Sequence, residues 1–575
     1  MVKFRQLFIT ISVLAQLCYS CNNTTEELTQ ENTINKLADA YLKRLFKTFP
    51  GRNYRYEDLE TQGLNFYNNS IEQLKVWHQF EDSLYVVLKK IDIEEEMARS
   101  ARITYWILRE ELESSIQLRV CKEELWNVNH ITGIHTYLIN LIDSQPVKTL
   151  EQQEFALKRW AKVPEIIEIE LFNLKRGLAE GYSMPKEIVQ LVIDDLEQTL
   201  SANEQESVFM SPFRRSDNEN FKNEWKHLAT HSIIPAIDKY NLFLKEEYYP
   251  TTRESVSILD NEGGENCYQA YLRKQTSAKI KALQVFETGK RNVETNMDDI
   301  TKIGKDIYNS DKIHVIIDSI KSDSSIRFND KQEVLEHIQK LIVKAEKQSK
   351  NWFKNLPARN LEIKPYPIGS RSYGSYEFAP EDSTSYFRVN LDQPTKISKA
   401  SLEKLVFHEA IPGHHFQIAL ENAIKGRHKI SENVGYNGYI EGWARYAEAL
   451  AEEMNLYTTE ASLILRRTWN YRGMVVDPGL HLYRWNKEKV IEYMMESGGS
   501  YNSALSLYYR IIATPGQLTA YDVGGSEIFR FRELAKSQLG ASFDLKEFHE
   551  LILKNGSIPL TALEKEFELW LRDQK

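Results

Sequence analysis

Cysteine is scarce in this 575-residue chain, with four in all: Cys18, Cys21, Cys121 and Cys267. No CxxC pair or Cys-His spacing occurs beyond Cys21, which excludes a thiolate metal site and a cysteine nucleophile from the body of the protein. Long apolar runs are missing too. Beyond the first 20 residues nothing reaches the ~18 apolar residues that a membrane-spanning helix requires. Positive charge is in deficit, 73 Lys and Arg against 82 Asp and Glu, for a net charge of −9. No basic face stands out, which argues against nucleic acid or an anionic membrane as the main partner. There is no internal repeat. What is present is an ordinary globular composition, 42% hydrophobic and 27% charged. Thirty Tyr, 24 Phe and 10 Trp can build cores or line a peptide groove.

The amino terminus reads as an export signal. Lys3 and Arg5 precede an apolar stretch from Leu7 to Leu17 that is too short to span a bilayer. Ser20 before Cys21 suits lipoprotein processing: residues 1–20 as signal peptide, Cys21 lipidated, and residues 21–30 as a polar tether to the membrane. Plain cleavage after Ser20 is the alternative. In an oxidising compartment Cys121 and Cys267 could pair, if the fold brings them together.

Amphipathic periodicity predicts helices over 34–49, 71–91, 95–115, 150–178, 218–249 and 331–353, with closing helices over 528–570. Residues 201–215 read as a polar loop. Residues 361–378 hold Pro365, Pro367, Gly369 and Gly374 and do not suit a helix. Residues 385–391 alternate apolar and polar, as a half-buried strand does. Such a strand beside a metal helix can bind an extended peptide along its edge, with Tyr386 and Arg388 as candidate contacts. The expected fold is mainly α: a large, multi-helical, two-lobed body around a cleft, with a small β element before the metal helix. Residues 31–360 read as a helical scaffold and 361–575 as the catalytic region.

The chemistry concentrates in Phe407-His408-Glu409-Ala410-Ile411-Pro412-Gly413-His414-His415-Phe416-Gln417. A His-Glu pair ending an apolar helix supplies a metal ligand and, beside it, a general base. The spacing departs from HExxH, because Pro412 stands where the second ligand belongs. On a straight helix His414 lies about 240° around from His408, and His415 about 10 Å further along. Neither serves one zinc ion, whose bonds to nitrogen are about 2.0–2.1 Å. Pro412 and Gly413 predict a broken or bulged helix that returns His414 to the metal. The competing reading is a capped helix end whose histidines only hydrogen-bond.

A third ligand is found downstream. The helical run from Tyr439 to Glu448 places Glu441 and Glu448 on one face, about two turns apart. It resembles the segment that supplies the third ligand in thermolysin-like zinc aminopeptidases. That resemblance makes Glu441 a ligand and Glu448 the residue orienting a ligating His. Together, HEAIPGHHFQ and EGWARYAE resemble the bacterial domain of unknown function 885 family, regarded as candidate zinc metallopeptidases and often lipoproteins. The likeness is dense from Tyr373 to about Gly525 and weak before residue 260. It implies His414 as the ligand and His415 as a pocket residue, and it extends to Arg510, Pro515-Gly516-Gln517 and Tyr521.

The expectation is an exported, zinc-dependent peptidase of the bacterial cell envelope, held by its lipid and carrying one Zn2+ per chain on His408, His414 and Glu441. Glu409 acts as general base. His481, four residues after Asp477 and paired with it, and Tyr521 steady the oxyanion. The Asp477–His481 stretch has a second reading as a helix cap at Pro478. Arg510 clamps a peptide carboxylate. A zinc hydrolase of a non-peptide amide or ester, and a non-catalytic peptide-binding lipoprotein, are the two rivals; the oligomeric state is left open.

Overall fold

A computed structural model describes residues 29–50, 65–93, 96–370, 372–379 and 384–575. The signal peptide, Cys21 and nearly all of the tether lie outside these residues. Among the described residues the chain is mainly helical, with one three-stranded sheet. No described helix is long and apolar enough to cross a membrane.

Helices α1 (Gln30–Thr48), α2 (Ile71–Leu88) and α3 (Arg99–Leu118) open the fold. The expected helix over 150–178 is two, α4 (Leu150–Trp160) and α5 (Val163–Ala179), because Pro164 lacks the N–H that would continue the first. Residues 201–215 hold short helical turns at Val208–Met210 and Ser211–Arg214 rather than a plain loop. A disulfide joins Cys121, just after α3, to Cys267 in α6 (Gly264–Thr276). The long helix α7 (Lys331–Trp352) then leads into the sheet.

The strands are β1 (Asn360–Pro365), β2 (Gly374–Glu377) and β3 (Thr384–Val389). Their order is β1-β3-β2, with β1 parallel and β2 antiparallel to β3. The expected strand over 385–391 is therefore the middle one, and both its edges are taken. The outer edge next to the helix that ends at Glu409 belongs to β2, four residues whose Gly and Tyr content masked them as strand.

After the sheet come α8 (Lys399–Glu409), α9 (His414–Ala423), α10 (Asn437–Glu453), α11 (Arg472–His481), α12 (Tyr501–Ala513) and α13 (Thr519–Leu539). Ser398 caps α8 as expected, its hydroxyl accepting from the Ser401 N–H at 3.2 Å. Pro478 sits inside α11 and does not cap it.

Helices α10 and α13 meet backbone to backbone. A Cβ on Gly524 would lie 1.7 Å from the Gly438 carbonyl oxygen, and one on Gly442 would lie 2.5 Å from the Gly524 carbonyl carbon. Only glycine allows this approach. One hydrophobic cluster packs α1–α3 with the sheet, α8–α10 and the C-terminal helices, with Phe387, Phe407, Trp443 and Phe548 among its members. A second gathers Trp160, Trp225, Tyr268, Leu480 and Ile512. Both draw residues from either side of position 360, so the two regions expected from the sequence share their cores.

Candidate metal centre

The break between α8 and α9 forms the site. α8 ends at Glu409, the Ile411–Pro412 peptide is cis, and α9 starts at His414. A Cβ on Gly413 would lie 1.9 Å from the His408 carbonyl oxygen, so the reversal needs glycine there. The Trp443 indole N–H, from α10, donates to the Pro412 carbonyl at 2.9 Å and satisfies an acceptor that the break leaves outside any helix. This reversal, rather than helical periodicity, brings His414 back beside His408.

Ligand atoms of His408, His414 and Glu441 lie within 4.8 Å of one another, and they form the one such group among the described residues. One Glu441 carboxylate oxygen stands 3.4 Å from His408 Nε2 and 3.5 Å from His414 Nε2. That oxygen is buried and makes no hydrogen bond. Atoms bound to one tetrahedral zinc at 2.0–2.2 Å stand about 3.3–3.5 Å apart, so the spacing and the orphaned oxygen fit the ion.

The charge balance fits as well. Burial would lower the His408 pKa, but Glu441 and Glu448 push it up to about 10. Burial would raise Glu441, but His408 and His414 hold its carboxyl well below the usual range. The site is arranged for positive charge at the centre of the three side chains.

Glu448 is fully buried behind His408. One of its oxygens accepts from His408 Nδ1 at 2.8 Å and from Arg445 at 2.7 Å; the other accepts from Asn470 at 3.2 Å and lies 4.0 Å from Lys404 Nζ. Arg445 also approaches Asp522 at 3.3 Å. Burial draws Lys404 down to about 8, against the pull of Glu448. Sequence reasoning named Glu448 but missed Arg445, Asn470, Lys404 and Asp522. Arg445 was within reach, at i,i+3 to Glu448 on one helix face.

Glu409 is held from the sheet side. Its Oε2 accepts from the Tyr376 N–H, on the outer edge of β2, at 2.8 Å. Tyr521, on α13, stacks on His408 with ring centroids 6.5 Å apart. Burial and then Glu441 push the Tyr521 phenol up, while Arg510 beside it opposes them. Tyr521 and Arg510 thus stand together at the cluster.

The other expected residues lie elsewhere. His415 is buried against the Tyr376 ring at 5.6 Å, on the core side of the sheet, where burial pulls it down to about 4. Arg388 pairs with Glu377 at 2.5 Å, and Tyr386 lies beneath Lys364 and Arg388. Both project from the face of β3 opposite Phe387 and Val389. His481 is fully buried. Its Nε2 meets the Ile511 carbonyl at 3.1 Å, and its Nδ1 accepts from the Ile258 N–H at 3.3 Å. With both ring nitrogens occupied it has none to offer an oxyanion, and that expectation is corrected. Nor does Asp477 pair with it: its carboxylate accepts from the Tyr268 hydroxyl at 2.7 Å and from the Gly516 N–H at 3.0 Å.

A family model described as "Bacterial protein of unknown function (DUF885)" matches residues 66–567. No curated protein matches the chain. Among solved structures, one described as "the putative lipoprotein from Colwellia psychrerythraea" is 21% identical with a TM-score of 0.82, covering 95% of this chain and 100% of its own. Another, "a putative lipoprotein of unknown function from Shewanella oneidensis", is 19% identical with a TM-score of 0.78, covering 94% and 99%. At these identities the likeness speaks for the fold.

Proposed function

The chain belongs to the bacterial protein family of unknown function DUF885, and from that premise and the site geometry we propose that it is a zinc-dependent peptidase. The observation that carries the reading is the convergence of His408, His414 and Glu441 within 4.8 Å, with Glu409 next to His408 in the chain and fixed by the Tyr376 N–H. His408, His414 and Glu441 would hold the ion. Bound there, zinc supplies a Lewis acid that activates water and polarises a carbonyl.

The chain's own residues do the rest. Glu409 takes the proton of the attacking water and returns it to the leaving amine. Tyr376 holds one Glu409 oxygen and leaves the other for that transfer. Glu448 fixes the His408 ring by its Nδ1 contact. Tyr521 donates to the developing oxyanion, and Arg510 receives a substrate carboxylate. Beyond the Tyr376 N–H that Glu409 takes, the outer edge of β2 offers its remaining backbone groups to an extended peptide. The leader and Cys21 support a location at the cell envelope on a lipid anchor.

The test is zinc by mass spectrometry together with hydrolysis of a peptide and acyl-amide panel. Wild type should carry about one zinc per chain, and Glu441→Gln should lose it. Glu409→Gln should keep zinc and lose about 100-fold to 10,000-fold in turnover. No zinc after reconstitution, or full turnover in Glu409→Gln, would refute the mechanism. Turnover of acyl amides alone would move the substrate class away from peptides.

A further inference from the structure

A cavity of about 370 Å3 lies between the last turns of α7, the segment that enters β1, and the residues around the α8–α9 break. The metal ligands, Glu409 and Tyr521 do not line it. Buried Ile411, His415 and Phe416 form its floor. Val343 and Leu356 line it too, and they stay 53% and 38% exposed, large apolar side chains open to the cavity.

His415 is the residue that points to a ligand. It is 1% exposed, and its Nδ1 is buried and makes no hydrogen bond. The Arg359 backbone engages the ring by a hydrogen bond. With Nδ1 unpartnered, that bond belongs to Nε2, whose N–H donates to the Arg359 carbonyl. Nδ1 then keeps its lone pair as an acceptor. A buried acceptor with no donor is costly until one arrives, and His415 borders an open volume from which one can come.

The charges around the cavity are unbalanced. Lys347, Lys350 and Arg359 line it against one carboxylate, Glu346, a surplus of two positive charges. Lys347 and Lys350 make no ion pair with any described residue. Arg359 donates to neutral groups, from Nε to the Ser385 hydroxyl at 2.7 Å and from Nη2 to the Thr384 carbonyl at 3.0 Å.

An inorganic anion would leave the apolar floor and Nδ1 unused, and a hydrocarbon would leave the cations unused. The last residue of a peptide carries a carboxylate, an amide N–H and a side chain on one carbon, and so answers all three features. We propose that this cavity binds the carboxy-terminal residue of a peptide, with an apolar side chain. Its carboxylate meets Lys347 and Lys350, its N–H meets His415 Nδ1, and its side chain lies on Leu356, Ile411 and Phe416. The site is separate from the metal centre and does not depend on the peptidase reading.

The test is calorimetric titration of the intact protein with N-acetyl-leucine, and with N-acetyl-leucinamide, which lacks the carboxylate. N-acetyl-leucine should bind saturably, and the amide about tenfold or more weakly. The double variant Lys347→Gln/Lys350→Gln changes two exposed positions and should weaken N-acetyl-leucine about tenfold or more. His415→Phe, which keeps a ring and drops Nδ1, should do the same. Glu441→Gln and Arg510→Gln, which alter the metal centre, should leave the affinity unchanged. No saturable binding at millimolar concentration, equal affinity for the amide, or wild-type affinity in the double lysine variant or in His415→Phe overturns the proposal. Lost binding in Glu441→Gln or Arg510→Gln would put the ligand at the metal centre and overturn it too.

Discussion

Replacing Glu448 by Gln separates a residue that orients a ligand from one that binds the ion. The carboxylate carries four polar neighbours: His408 Nδ1 and Arg445 on one oxygen, Asn470 and, at 4.0 Å, Lys404 on the other. Glutamine keeps one acceptor and turns an NH2 toward the other pair. Either His408 and Arg445 or Asn470 and Lys404 then face a donor. The charge is lost as well, which leaves Arg445 with Asp522 alone at 3.3 Å. Breaking a buried ion pair on one side costs about 3–5 kcal/mol. The misdirected imidazole should weaken zinc by about 10–100-fold, or about 1.4–2.7 kcal/mol. Urea denaturation of the zinc-free protein reads the first number, and competition against a chelator reads the second. The variant should still bind zinc, unlike Glu441→Gln. Wild-type values in both assays would show that the contacts of Glu448 contribute nothing to the site.

Two further outcomes follow from the packing and the charges. In Gly524→Ala the new methyl meets the Gly438 carbonyl, a backbone atom that cannot move alone, so α10 and α13 must separate. A stability loss of about 3 kcal/mol or more is expected, with peptide turnover falling because Tyr521 rides on α13; an unchanged urea midpoint would refute the close approach. Glu170 titrates near 7 in the fold against 4.5 in the open chain. Its folded form binds the proton more tightly, so its contribution to stability is fullest below pH 4.5 and is lost as pH rises through about 7. That gap corresponds to about 3 kcal/mol, and Glu170→Gln should recover most of it at pH 8 and none at pH 4. Equal effects at both pH values would argue against a strained carboxylate.

The helices were legible because their apolar positions recur at the helical period, and Ser398 gave the start of α8 by its capping chemistry. The members of the cluster were legible as well: His408, His414 and Glu441 are metal-ligand residue types, and Pro412-Gly413 announced the break. β2 was hidden, since the four residues Gly374-Ser375-Tyr376-Glu377 are too few to display an alternation. His481 misled because a sequence spacing shows which helix face a side chain takes and not what already occupies its nitrogens. Gly438, Gly442 and Gly524 did leave a signal, small residues one turn apart, that is meaningful only once α10 is known to cross α13.

Local sequence thus determined the elements, the broken helix and the inventory of reactive groups, because each depends on neighbours a few residues away. Tertiary structure alone decided the placements: Glu441 against two imidazoles, the Tyr376 N–H on Glu409, and Cys121 on Cys267. Those contacts span tens to hundreds of residues in the chain. They are set by how whole helices pack, and no local pattern encodes that.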